Sequence, residues 1–161
     1  MPDRSPPPVG SHAPDFSLSD QRGFATRLSD LYAAGPVVLY FYPKNHTLGC
    51  TIEACNFRDR YQAFAEAGAS VVGVSSDSVT SHGHFAAQHE LPFTLLSDPG
   101  GRIRELYGVK KTLGILPGRV TFVIDQAGLI RHVYTSQLNA AKHVAQAAET
   151  VRKLCEAPTA T

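Results

Sequence analysis

Residues 37–60 read VVLYFYPKNHTLGCTIEACNFRDR, and the fold turns on how this stretch is parsed. Val37–Tyr42 is six apolar residues without alternation, the pattern of a central strand covered on both faces. A polar loop bounded by Pro43 and Gly49 follows. A helix is then expected from about Cys50 through Ala67, with Phe57, Tyr61 and Phe64 at i, i+4 and i+7 forming one apolar stripe. Gly68 is the expected stop. Two of the three cysteines, Cys50 and Cys55, fall in the first turns of this helix. A thiol at a strand-to-helix junction faces unpaired backbone N–H groups and the positive end of the helix dipole. That setting favours a nucleophilic thiolate over an inert buried thiol.

Upstream, Phe16–Ser19 and Phe24–Arg27 flank Asp20-Gln21-Arg22-Gly23 and predict a hairpin; Ser29 is expected to cap a helical turn through Tyr32. Downstream come a strand at Ser70–Ser75, a helix capped by Ser78 and running to about His89, and a short strand at Phe93–Leu96. A short helix at Arg102–Tyr107 and a glycine-rich loop at Gly108–Gly118 follow. Arg119–Ile124 and Ile130–Tyr134 form a second hairpin, and Asn139 caps a last helix with Ala140, Val144, Ala147, Val151 and Leu154 on one face. Alternating βα units imply a parallel core to which the hairpins add antiparallel strands. The expected fold is α/β and thioredoxin-like: a mixed central sheet flanked by helices, with an N-terminal β-hairpin. Residues 1–161 read as one domain, with a flexible or extended leader at 1–9 and a loose tail at 157–161.

The composition excludes several classes. At 161 residues, 43% hydrophobic and 18% charged, the chain can bury a core without staples. A formal net charge of +1 gives no electrostatic footprint for nucleic acid, and no apolar run reaches the roughly 20 residues of a membrane span. The N-terminus MPDRSPPPVG has no signal-peptide core, so a cytoplasmic location is expected. Three cysteines suit that compartment better than a secreted disulfide scaffold. Pro99-Gly100-Gly101 is too sparse for a nucleotide loop, and no cofactor is expected.

Pro43-Lys44-Asn45-His46-Thr47-Leu48-Gly49-Cys50 resembles the peroxiredoxin active-site pattern of a proline, three residues, a threonine, two residues and the reactive cysteine. Cys55, five positions on, resembles the second cysteine of the Q-type subfamily, also called bacterioferritin comigratory proteins. PDFSL, VVLYFYPK, LPFTLLSDPGG and RVTFVIDQAGLI extend the resemblance over about Gly10–Leu154. The resemblance implies a thiol-dependent peroxidase. Cys50 would reduce a hydroperoxide and become a sulfenic acid, and Cys55 would resolve it as a disulfide. Thr47 would donate its hydroxyl to the peroxide, and Pro43 would shield the sulfur and fix the loop. Arg119, at the start of RVTFVI, would supply the cationic donor, with Glu53 able to hold it or a neighbouring arginine. Thioredoxin or a similar dithiol would be the reductant, and the assembly a monomer or a homodimer. The family usually has proline at the Leu48 position and acidic residues at Asn45-His46, so the loop before Cys50 is expected to be less stiff.

One geometric consequence follows from the spacing. Five residues along an α-helix separate Cα atoms by about 8–9 Å, whereas a disulfide needs roughly 4.4–6.8 Å. A 50–55 bond therefore requires the first turns to unwind. Other readings use the same residues differently: a peroxide sensor, a thiol–disulfide oxidoreductase lacking the usual C-x-x-C, or a soft-metal site from His46, Cys50 and Cys55. Cys155 is expected to be structural, and His12, His82, His84, His89, His132 and His143 show no catalytic pattern.

Overall fold

The computed structural model describes residues 5–109, 119–136 and 139–156. Its elements in chain order are β1 (Ser17–Asp20), β2 (Ala25–Arg27), α1 (Leu28–Ala34), β3 (Val37–Phe41), α2 (Leu48–Asp59), α3 (Tyr61–Glu66) and β4 (Ser70–Ser75). They continue with α4 (Val79–Gln88), β5 (Thr94–Ser97), α5 (Arg102–Leu106), β6 (Val120–Ile124), β7 (Ile130–Thr135) and α6 (Ala140–Glu156). The strands form one sheet in the order β2-β1-β5-β4-β3-β6-β7. β3, β4 and β5 are mutually parallel, while β1, β6 and β7 pair antiparallel to their neighbours.

Every residue of β3 is buried, as its unbroken apolar run requires. The pleat sends alternate side chains to opposite faces. Val38, Tyr40 and Tyr42 join Cys50, Phe57, Phe64, Phe85 and Val144 beneath α2, α3, α4 and α6. Val37, Leu39 and Phe41 join Leu28, Tyr107, Phe122 and Ile130 on the other face. Tyr40 stacks on Phe57 with ring centroids 4.6 Å apart. Burial of one such ring is worth about 2–3 kcal/mol. The ring lies over Gly73 of β4, where a Cβ would come within 2.7 Å of it.

Several elements shift by a residue or two from the sequence reading, and some differences are larger. The helix expected over Cys50–Ala67 is two helices. The backbone of Arg60 adopts φ −101° and ψ 4°, bending the chain between α2 and α3 with no glycine or proline to mark the spot. α1 begins at Leu28, and Ser29 does not cap it. Asp15, fourteen residues upstream, accepts from the Ser29 N–H at 2.9 Å and from its hydroxyl at 2.9 Å. β5 lies one residue later than expected. In the leader, Ser5 and Pro6 pack their backbone against Gly108, so part of it is held. Residues 110–118 of the expected loop and the 157–161 tail lie outside the described residues.

Other local signals agree with the structure. Ser78 caps α4 by accepting from Ser81 N–H at 3.1 Å, and Asn139 caps α6 by accepting from Lys142 N–H at 3.1 Å. Gly68 at φ +74° ends α3, with Ala69 N–H donating to Phe64 O and Gly68 N–H to Ala65 O. That pair of bonds is a Schellman motif, which needs the left-handed backbone glycine allows.

Candidate active site

β3 delivers the chain to the loop 43–47 at the edge of its own sheet end, and α2 starts immediately after. Cys50 is the third residue of α2, within the turn whose N–H groups have no helical acceptor. It is free and only 2% exposed. Arg119, 4% exposed and one residue before β6, reaches it across the sheet end. Nη2 donates to Cys50 Sγ at 3.2 Å, and Nη1 donates to Glu53 Oε1 at 2.5 Å. The expected pairing of Arg119 with Cys50 is therefore made, and Glu53 is the carboxylate that holds the guanidinium. Burial opposes the charge of Arg119, but Glu53 and Cys50 outweigh it and hold the group above its ordinary value. A guanidinium in this position would pair with an ionised sulfur through a charge-assisted hydrogen bond.

Glu53 is wholly buried. Burial pushes its carboxyl up from 4.5 to about 7, even with Arg119 beside it pulling the other way. Behind it stands His143 of α6, also wholly buried. Its Nε2 faces the Ser136 carbonyl at 2.7 Å, which only accepts, so Nε2 carries the hydrogen. Nδ1 then accepts from the Thr121 hydroxyl at 2.8 Å. Burial pushes this ring down from 6.5 to about 4, so it is neutral at physiological pH.

Thr47 stands at the N-cap of α2 but does not cap it. Its hydroxyl donates to Lys44 O at 2.9 Å. In this structure the Thr47 proton points to the Lys44 carbonyl, leaving its lone pairs open to a donor. Pro43 is half-buried directly after β3. Leu48, 78% exposed, is the first residue of α2. His46 is held at φ +66° with its ring edge-on to Phe85 at 5.2 Å. Cys55 is half-buried one and a half turns beyond Cys50, its Sγ 4.0 Å from His89 Nδ1. Cys155 is exposed, and its thiol donates to Ala67 O at 3.2 Å. Among the described residues, no three His, Cys, Asp or Glu side chains lie together as a metal site, and no helix is long and apolar enough to cross a membrane.

The sequence reading undervalued Asn45. It is buried, and it ties the loop down in three directions. Its N–H donates to Asp77 at 2.9 Å, its Oδ1 accepts from the Tyr42 hydroxyl at 2.6 Å, and its Nδ2 meets Ser81 Oγ at 3.1 Å. Nδ2 also donates to His82 Nδ1 at 2.9 Å, whose Nε2–H donates to Leu96 O at 3.0 Å. The stiffness that a proline at position 48 would give is supplied here by a polar anchor two residues before Thr47. Glu53 and His143 did carry a signal. Cys50, Glu53, Ala54 and Phe57 fall at i, i+3, i+4 and i+7, so a carboxylate sits in a buried stripe. His143 falls likewise among Val144, Ala147 and Val151.

Comparison with known proteins agrees with this geometry. The AhpC/TSA family profile matches residues 9–133. Peroxiredoxin Q, chloroplastic, of Oryza sativa subsp. japonica is 46% identical over 146 residues, which are 90% of this chain and 67% of that protein. The crystal structure of peroxidoxin BcpB from Mycobacterium tuberculosis superposes with a TM-score of 0.85 at 43% identity, covering 91% of this chain and 97% of that one. The bacterioferritin comigratory protein of Xanthomonas campestris gives 0.80 at 31% identity, covering 88% and 92%. A thiol and a guanidinium meeting at a strand-to-helix junction of this fold, in a sequence so related, place the chain in the AhpC/TSA family as a peroxiredoxin of the Q type, a thiol-dependent peroxidase.

Proposed function

We propose that Cys50 is the sulfur that reduces the hydroperoxide and that Cys55 resolves the product. The observation that carries this reading is the guanidinium fork of Arg119, which engages Cys50 Sγ with one nitrogen and Glu53 with the other. The thiolate attacks the terminal oxygen of R–O–O–H. An S–O bond forms as the O–O bond breaks, sulfur is oxidised to sulfenic acid, and the peroxide is reduced to an alcohol or water. Charge moves from sulfur onto the departing oxygen. A donor already aimed at that line and unable to deprotonate lowers the barrier.

The absence of a side chain at Gly49 supports an approach path. Gly49 is exposed, and a Cβ there would lie 3.1 Å from Arg119 Nη2. An oxygen entering over this glycine meets the guanidinium beside the sulfur. Thr47, its own proton on Lys44 O, would accept from the peroxide O–H and align it. Pro43 limits water at the strand end.

Resolution needs α2 to open, because its intact geometry keeps the two cysteine Cα atoms about 8–9 Å apart. The Cys55 thiolate then attacks the sulfenic sulfur, and the hydroxyl leaves as water with a proton from solvent, giving an intramolecular disulfide. A low-potential dithiol such as thioredoxin reduces it. The Xanthomonas relative is described by its alkyl peroxide reduction activity, and we extend organic hydroperoxides, with hydrogen peroxide, to this chain. Every residue of the scheme comes from one chain, so the chemistry is the same in a monomer or a homodimer.

The test is peroxide consumption with thioredoxin and its reductase. Cys50→Ser should abolish turnover. Cys55→Ser should reduce one equivalent of peroxide and then stall until an external thiol is added. Native turnover without the sulfur at position 50 refutes the assignment.

A further inference from the structure

We propose that Glu53 is the charge-balancing partner of Cys50: it holds a proton while the sulfur is a thiolate and gives it up when the sulfenic acid forms. This rests on the assignment of Cys50 as the peroxide-reducing sulfur. Glu53 touches no substrate. It acts through Arg119, as a positioning residue whose charge alternates with that of the sulfur.

The geometry carries the argument. One buried cation, Arg119, is shared by two acidic groups three residues apart on one face of α2. A buried net charge is costly, and an unpaired buried carboxylate especially so. Thiolate with carboxylate against a single guanidinium leaves an uncompensated negative charge. Thiolate with carboxylic acid leaves none, and neither does sulfenic acid with carboxylate.

Glu53 is built to hold that proton. Oε1 accepts from Arg119, but Oε2 is buried with no hydrogen-bond partner. An ionised Oε2 therefore lacks the donors an anion needs, and protonation removes that charge. His143 Nδ1 lies 3.8 Å away, beyond hydrogen-bond reach, with its lone pair already taken by the Thr121 hydroxyl. The other titratable groups facing Glu53 are Tyr40 on β3 and Tyr42 just after it, and burial holds both phenols well above their usual range. His143 and, behind it on β7, His132 are both lowered by burial. None of these supplies a charge at neutral pH, so among the described residues Arg119 stands as the single cation for two acids. Burial also brings the Glu53 carboxyl to about 7, where a proton can be both kept and lost.

The step balances as follows. Cys50 thiolate, Glu53 carboxylic acid and R–O–O–H become Cys50 sulfenic acid, Glu53 carboxylate and R–O–H. Sulfur loses two electrons to the O–O bond, the departing oxygen gains a proton, and Glu53 loses one. The site ends as neutral as it began and draws no proton from solvent.

Infrared difference spectroscopy on reduced Cys55→Ser protein, which stops at the sulfenic acid, reads this directly. One equivalent of hydrogen peroxide at neutral pH should remove a protonated-carboxyl band and create a carboxylate band. The change should be absent from the Glu53→Gln, Cys55→Ser protein. In weakly buffered solution with a pH indicator, no proton should be taken up per sulfenic acid in the former and one in the latter. If Glu53→Gln does not fold, Cys50→Ser replaces it: with no thiolate to compete, the carboxylate share of the Glu53 signal should be larger than in the Cys55→Ser protein before peroxide, and an unchanged share overturns the inference. Sulfenic acid formation with Glu53 ionised before and after overturns the inference and leaves the peroxidase assignment standing. Failure of Cys50 to form a sulfenic acid overturns the assignment itself.

Discussion

At the scale of the residue, the site depends on one absent side chain. Gly49 is the second residue of α2, and the sequence marks it only as the end of a loop. The structure gives it a further reason: a Cβ there would press on Arg119 Nη2 at 3.1 Å, and Glu53 already pins the guanidinium from the other side. Gly49→Ala should therefore separate stability from activity. Alanine favours a helix over glycine by up to about 0.5–1 kcal/mol, so melting should be unchanged or slightly higher. The displaced donor should lower kcat/KM by roughly tenfold to a hundredfold, since small misplacements of a transition-state donor are expensive. Thermal melts and peroxide-limited rates measure the two effects. A variant that keeps native kcat/KM shows that the fork has room to spare. Pro43, Thr47 and Cys50 stood out by their spacing, and Arg119 by its place at the start of RVTFVI. The Gly49–Arg119 contact did not, because it joins residues seventy positions apart and leaves no local mark.

At the scale of the element, α2 has two duties that conflict. Intact, it holds Cys50 and Glu53 on Arg119; in the proposed scheme it must open so that Cys55 can reach the sulfur. The break at Arg60 limits how far the opening must travel. α3 beyond it is separately closed by the Gly68 motif and anchored by buried Phe64. The proposed alternation of charge supplies a driving force, because an ionised Glu53 with a bare buried Oε2 gains water when α2 unwinds. Amide exchange over Thr51–Asn56 should accelerate at least about tenfold in the disulfide form, while the amides of α3 keep their protection. Equal protection of Thr51–Asn56 in both redox states would contradict the opening. Loss of protection through Phe64 would show that Arg60 is no boundary. Periodicity revealed that a helix follows Cys50, but not this division, since Arg60 carries neither glycine nor proline and the apolar stripe runs straight through it.

At the scale of the whole molecule, apolar patterns and turn residues made the layers legible: an unbroken run for β3, Asp-x-x-Gly turns at 20–23 and 125–128 for the hairpins, and stripes on α2, α3 and α6. The pairing of β1 with β5 was not, because antiparallel addition of a hairpin to a distant edge is decided by tertiary fit. The polar groups buried between those layers set how the fold as a whole responds to acid. Burial raises Glu53 from 4.5 to about 7, so between those values the folded chain keeps a proton the unfolded chain has released. The stability from this group is complete below 4.5 and declines as pH rises to about 7. Burial lowers His143 from 6.5 to about 4, so between those values the unfolded chain binds a proton that the folded chain refuses. The stability from this group is complete above 6.5 and declines as pH falls toward 4. Each slope is about 1.4 kcal/mol per pH unit, and between 4.5 and 6.5 the two oppose and largely cancel. Glu53→Gln removes one slope and should expose the other, losing roughly 2 kcal/mol more than the parent over that interval on acidification. His143→Gln should do the reverse and gain stability toward acid relative to the parent. Thermal melts followed by circular dichroism across this range decide the matter. Profiles parallel to the parent in both variants would mean that neither buried group titrates as its surroundings dictate.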